Sequence, residues 1–292
     1  MLKKYKNDIS MIGMMAIFGT IGIFRRYIPL PSGVVAMMRA AIGALFLLLL
    51  MLVKRQRPNF MHIRKNLWPL LLSGVFLGFN WVLLFEAYKY TSVAVATLSY
   101  YMAPILLILL APLFLGERLT LKKGLCAAVA FLGMVLVSGV LQTGVGTLSE
   151  LRGIFLGLLA AVLYAFIVLI NKKLVDISAT DKTVVQFVVS VVVLLPYVLL
   201  TEKVDAAAIT PLAIVLLAVL GILHTGFAYA VYFGAVGKLP AGTVALYSYI
   251  DPVLAVILSA LFLKEPLGAL GIVGAVLILG AAFLSEWSPR KK

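Results

Sequence analysis

Long apolar blocks broken by short polar clusters dominate the pattern along the chain. Ten such blocks cover about residues 9–28, 33–53, 67–88, 92–115, 124–140, 153–170, 184–200, 211–236, 241–263 and 268–284. Most of them approach or exceed the roughly 20 residues that an apolar helix needs to cross a hydrocarbon core. A transmembrane β-barrel would instead show segments of about ten residues with alternating polarity, and none is visible. The pattern predicts an all-α membrane protein with ten transmembrane helices.

Composition agrees, with 63% hydrophobic and 12% charged residues in 292; a soluble domain has about 45–50% and about 25%. The net charge of +14 could suggest nucleic acid, but the basic residues sit in short clusters between the blocks and form no continuous basic face. They read as topology signals. With both termini cytoplasmic, 18 of the 25 Lys and Arg face the cytoplasm, six face the other side and Arg39 stays inside a span. The basic and apolar start "MLKKYKNDISMIGMMAIFGTIGIF" has no small-residue cleavage site after it and reads as a retained first span. The lone Cys126 cannot form an internal disulfide and reads as a small buried hydrophobe.

An internal repeat organises the blocks. "LSYYMAPILLILLAPLFLGERL" (Leu98–Leu119) lies over "LYSYIDPVLAVILSALFLKEPL" (Leu246–Leu267) without a gap, matching Tyr101 to Tyr249, Pro104 to Pro252 and Glu117 to Glu265. The predicted units are 1–140, spans 1 to 5, and 151–292, spans 6 to 10. Five spans is an odd number, so the second unit enters from the opposite side: two inverted five-helix repeats. Inverted repeats recur in secondary transporters, with the substrate site near the midplane between the halves.

The segments "FEAYKYTSVAVATLSYYMAPILLILLAPLFLGERLT" and "YFGAVGKLPAGTVALYSYIDPVLAVILSALFLKEPLG" resemble the two EamA repeats of the drug/metabolite transporter superfamily, over nearly the whole chain. The resemblance implies a multi-pass carrier of the plasma (cell inner) membrane. Its cavity would be lined mainly by spans 1, 3, 4, 6, 8 and 9, and it would move amino acids, other small metabolites or drugs without ATP. It does not fix the substrate.

Asp251 lies near the middle of the ninth span, where an ionised carboxylate costs about 2.5–3.5 kcal/mol on insertion scales and must face protein or a wet cavity. It is a candidate counter-ion for a substrate ammonium group, a candidate protonation site, or a cap for backbone freed by Pro252. Its counterpart in the first copy is Ala103, so the proline alone does not require an acid. His224, mid-span, is a candidate for a proton relay or latch with Asp251. Pro104 and Pro252 are predicted helix kinks. Arg39 and Glu86, near the ends of their spans, are predicted to form an ion pair, structural or gating; alternatively Arg39 holds a substrate carboxylate.

Gly74, Gly78, Trp81, Phe85 and Tyr88, spaced 4, 3, 4 and 3, share one face of the third span, with Asn80 beside it. The two glycines serve either a pocket or helix packing. Tyr229 and Tyr232 in the eighth span, Tyr101 in the fourth, Tyr164 in the sixth, and Tyr247 and Tyr249 in the ninth complete an aromatic set suited to a cationic or aromatic substrate. The spacing of four puts Tyr247 on the Asp251 face and turns Tyr249 away from it. Glu117 and Glu265 read as structural helix ends.

No metal site is predicted, because the other histidine, His62, lies in a loop; no cofactor is expected. The chain lacks a P-loop and the H-E-x-x-H and G-x-S-x-G motifs, against an ATPase or an intramembrane enzyme. The reading is a non-enzymatic secondary active exporter of amino acids or related cationic or aromatic metabolites, driven by protons or by the solute gradient. Its partners are a small-molecule substrate, the bilayer and, in the coupled case, protons, with no nucleic acid. The competing readings are an importer or exchanger of a cationic metabolite or nucleoside, and a non-transporting intramembrane enzyme or scaffold. Oligomeric state stays open.

Overall fold

The computed structural model describes residues 6–116, 120–137, 148–236, 239, 247–265 and 267–286. Its helices in chain order are α1 (Lys6–Gly19), α2 (Ile21–Arg26), α3 (Ser32–Val53), α4 (Phe60–Lys65), α5 (Leu67–Tyr90), α6 (Val93–Tyr100), α7 (Ala103–Leu115), α8 (Leu121–Val137), α9 (Leu148–Lys172), α10 (Ala179–Thr201), α11 (Pro211–Val219), a π-helical segment (Leu220–Phe227), α12 (Ala228–Val236), α13 (Ile250–Phe262) and α14 (Ala269–Glu286). Seven stretches among the described residues are long and apolar enough to cross a bilayer, three of them composite: α1 with α2, α6 with α7, and α11 through the π segment into α12. The shorter α8, α13 and α14 carry the other apolar blocks. Glu117, residues 138–140 of the fifth block and residues 241–246 of the ninth lie outside the described residues.

Large apolar side chains such as Val192, Leu200, Leu212 and Val276 are exposed, as expected of helices that face lipid. Small residues carry the inner contacts. A Cβ on Gly133 of α8 would lie 2.7 Å from Gly274 O of α14, and one on Gly274 would lie 2.5 Å from Gly133 O, so these two backbones touch. Gly74 and Gly78 of α5 resolve as packing residues: a Cβ on Gly74 would meet Val189 Cβ at 2.6 Å, and one on Gly78 would meet Leu194 of α10.

The spans near the centre are broken. Of the apolar blocks, that at 9–28 breaks at Thr20, that at 92–115 at Tyr101–Met102 and that at 241–263 at Tyr249, while that at 211–236 carries the π segment. Pro104 and Pro252, the predicted kinks, follow two of these breaks. Each stands in the first turn of a new helix, where its missing N–H would have had no intrahelical partner anyway.

The bundle ends are tied differently. At one end, here the Arg26 end, Glu265 accepts from Arg26 Nη2 (2.7 Å), Val93 N (3.0 Å) and Ser259 Oγ (2.9 Å). Close by, the Glu202 carboxylate accepts from Gly33 N (2.8 Å) and Val34 N (2.9 Å), capping the first turn of α3. At the other end, the Asn66 end, Asn66 exchanges two hydrogen bonds with the Val175 backbone (2.8 and 3.0 Å), beside a Lys65–Asp176 pair at 3.2 Å.

Candidate functional site

A cavity of about 670 Å³ sits where the breaks meet. It is lined by Gly19 and Gly22 beside the first break, Tyr101, Ala103 and Pro104 at the second, and Ser248, Tyr249 and Asp251 at the third. Broken spans leave backbone groups unpaired, which is tolerated at membrane depth only inside protein or beside a wet cavity. At the Asn66 end the lining reaches Asn171, Lys182 and Leu239. None of Arg26, Ser32, Val93, Glu202 and Glu265 belongs to it, so the cavity stops short of the Arg26 end.

Asp251 is in the first turn of α13, where the helix dipole favours a negative charge. Its Oδ2 accepts from the Tyr101 hydroxyl at 2.6 Å, a bond joining the two copies of the repeated segment. Gly19 is packed directly behind: a Cβ there would lie 2.8 Å from Asp251 O and from Leu254 Cβ. Among the aromatics picked from sequence, Trp81, Tyr101, Tyr164, Tyr229, Tyr232 and Tyr249 all line the cavity. Tyr101, Tyr164, Tyr229 and Tyr232 interlock edge to face through Phe18, Phe187 and Tyr100, with Phe18–Tyr229 at 5.5 Å, Phe187–Tyr229 at 5.5 Å and Tyr100–Tyr164 at 5.6 Å.

Three expected arrangements are not found. Arg39 and Glu86 form no pair: Arg39 Nε donates to Thr225 Oγ1 at 2.6 Å, while Glu86 accepts from Ser32 Oγ and Lys89 Nζ, each at 2.7 Å. The two sites are separate because Ser32 and Lys89 bring Glu86 to the Arg26 end, whereas Arg39, seven residues into α3, lines the cavity. Tyr247 leaves the Asp251 face and donates to Asp8 Oδ1 at 3.0 Å, and Tyr249 takes the cavity. The spacing of four fails there because α13 begins at Ile250, so Tyr247 and Asp251 do not share one helix.

His224 does not line the cavity and makes no hydrogen bond to Asp251; it is buried, with Phe24 edge-on at 5.0 Å. Its Nδ1 lies 3.2 Å from Val219 O, which can only accept, so this nitrogen carries the proton. Nε2 lies 2.7 Å from the Thr20 hydroxyl oxygen, whose own proton points to Ile17 O at 2.7 Å, and this contact ties the π segment to the first break. Asn80 also stays outside the lining, donating to Ala160 O at 2.6 Å.

Several lining residues escaped the sequence reading. Tyr100, Thr183, Gln186 and Asn171 form part of the wall, and Gln186 Nε2 donates to Asn171 Oδ1 and Ser73 Oγ, each at 2.8 Å. A polar residue inside the apolar block at 184–200 was the available signal for Gln186. Among the described residues no cluster of His, Cys, Asp or Glu could hold a metal.

A bundle of apolar helices around a solute-sized, aromatic cavity that reaches one end defines a polytopic membrane protein built to handle a small molecule. The chain belongs to the EamA-like transporter family, which it matches over residues 6–139 and 151–287. It is therefore a membrane transporter. It is 32% identical over 256 residues to the uncharacterized transporter YxxF of Bacillus subtilis strain 168, covering 87% of this chain and 81% of that one. It is 29% identical over 216 residues to the protein RarD of Salmonella typhi, covering 74% and 70%. A crystal structure 18% identical in sequence superposes with a TM-score of 0.69 over 96% of this chain and 97% of the other, the same fold.

Proposed function

We propose that this transporter is a secondary active exporter of small organic solutes bearing an ammonium group, amino acids and aromatic amines among them. In this reading the chain crosses the plasma membrane ten times as two inverted repeats, with both termini and the Asn66 end in the cytoplasm. The observation that carries it is the Tyr101–Asp251 bond, which joins the two repeated segments inside an aromatic-walled cavity. A carboxylate there supplies the counter-charge that an ammonium group needs in a medium of low dielectric constant, and the rings supply cation–π contact. An arriving ammonium group competes with the Tyr101 hydroxyl for the same carboxylate. Solute binding therefore acts on a contact between the halves, which is how a ligand with different affinity for two arrangements shifts their balance.

A proton competes for the same carboxylate. Solute bound through its ammonium group is displaced as the carboxyl protonates, which gives solute–proton exchange with a single residue. The geometry supports Asp251 alone in this role, since His224 is committed to Thr20 and Val219.

The test is thermal stabilisation of purified protein by amino acids, aromatic amines, quaternary amines and nucleosides at two pH values, because a ligand that binds only the folded state raises apparent stability by mass action. Amino acids or amines are expected to stabilise, less strongly at the lower pH. Stabilisation by nucleosides alone, or by none of the set, would contradict the proposed substrate class.

A further inference from the structure

Arg39 is only 3% exposed, yet it lines the cavity. Its one hydrogen bond to a described residue leaves from Nε to Thr225 Oγ1, and Thr225 in turn donates to Leu220 O at 2.8 Å, five residues back in the π segment. The guanidinium carbon lies 4.4 Å from the Trp81 ring centroid and 5.7 Å from that of Phe85. With Nε engaged and aromatic rings packed against the guanidinium, the edge formed by Nη1 and Nη2 is left. Those two groups hydrogen-bond to no described residue, and no described carboxylate pairs with them.

A buried cation with no carboxylate in ion-pair reach is unfavourable; Asp251 shares the cavity and attracts Arg39 at longer range without pairing with it. Arg39 would be relieved by pairing with Glu86, but that carboxylate is taken by Ser32 and Lys89. A planar guanidinium edge matches a carboxylate bidentately, and the Thr225 and Trp81 contacts set its plane beforehand. From this geometry we infer that the Nη edge of Arg39 is an anion subsite that takes a carboxylate of the transported solute, with Thr225 of the π segment as its positioning residue. The inference rests on the cavity being the transport site. It narrows the substrate class to solutes with a carboxylate as well as an ammonium group, the carboxylate on Arg39 and the ammonium on Asp251.

The experiment measures thermal stabilisation of the purified full chain by 3-phenylpropionate and hexanoate, which carry only the carboxylate, and by phenethylamine, which carries only the ammonium group. The carboxylates are expected to stabilise the wild type and Asp251→Asn. In Arg39→Gln and Arg39→Lys their apparent affinity falls about ten- to hundred-fold, the scale of charge-assisted hydrogen bonds. Phenethylamine is expected to keep its effect in both Arg39 variants and lose it in Asp251→Asn. Thr225→Val weakens the carboxylates about ten-fold and Thr225→Ser restores them, a rescue that a purely structural role would not give. No carboxylate response in the wild type, or equal responses in the wild type and both Arg39 variants, overturns the subsite. A phenethylamine response unchanged in Asp251→Asn counts against the ammonium reading and leaves the subsite standing.

Discussion

Glu265→Ala removes the carboxylate that holds the Arg26 end together, and the size of the effect follows from its partners. The Arg26–Glu265 pair is partly exposed, 37% on the arginine and 17% on the glutamate, so it contributes about 0.5–1 kcal/mol. The Val93 N–H bond to the same carboxylate, at 3.0 Å, adds about 1.5–2 kcal/mol as a hydrogen bond to a charged group. Ser259 lies in α13, just before Glu265 in the chain, and adds nothing that crosses between α13 and the helices α2 and α6. If the two crossing contacts exist only while this end is closed, the variant moves the closed-to-open ratio by about 2–3 kcal/mol, about 30- to 150-fold. Spin labels at Tyr27→Cys and Leu261→Cys in a Cys126→Ala background, both exposed sites, report the separation of the two sides by pulsed electron resonance. A longer-distance population that grows in Glu265→Ala, and less in Arg26→Ala, is expected. Superimposable distance distributions for the wild type and Glu265→Ala refute the assignment of Glu265 as the tie.

At the Asn66 end, Asn66→Ala loses both hydrogen bonds to Val175 and one to His62 O and should lower stability by about 1–3 kcal/mol, read as a drop in the melting temperature of the purified protein. In the π segment, a Cβ on Gly226 would lie 2.5 Å from Phe46 Cγ and 2.6 Å from Phe46 Cδ1; Gly226→Val should destabilise by at least about 1–3 kcal/mol through overpacking against α3. An unchanged melt for either variant would show that its contact contributes little.

The apolar blocks, the repeated segment and the acid Asp251 inside an apolar block were readable because each follows from a one-dimensional pattern: block length, offset and charge in an apolar run. Seven of the aromatics named from the sequence, Tyr88 among them, do line the cavity. What the pattern could not carry was local departure from regular helix. The hydrogen bonds of a π segment reach five residues back instead of four, which turns the residues that follow by roughly a quarter turn relative to an ideal helix. Thr225, whose hydroxyl bonds Leu220 O in that frame, thereby reaches Arg39, a contact the sequence pattern does not show. The same blindness misplaced Tyr247, because the helix boundary at Ile250 has no strong marker before it. Pairings set by tertiary contact, such as His224 with Thr20 or Asn80 with Ala160 O, have no signature along the chain.

The most direct measurement of the central claim is transport by Asp251→Asn in proteoliposomes. The substitution keeps an oxygen that accepts from Tyr101, while removing the charge that an ammonium group requires. Counterflow of a stabilising amino acid or amine should fall at least about ten-fold, the loss expected for one charge-assisted contact. The variant should remain folded in the membrane, and the residual flux should not respond to a pH gradient. Wild-type flux with wild-type pH dependence in Asp251→Asn would contradict the account.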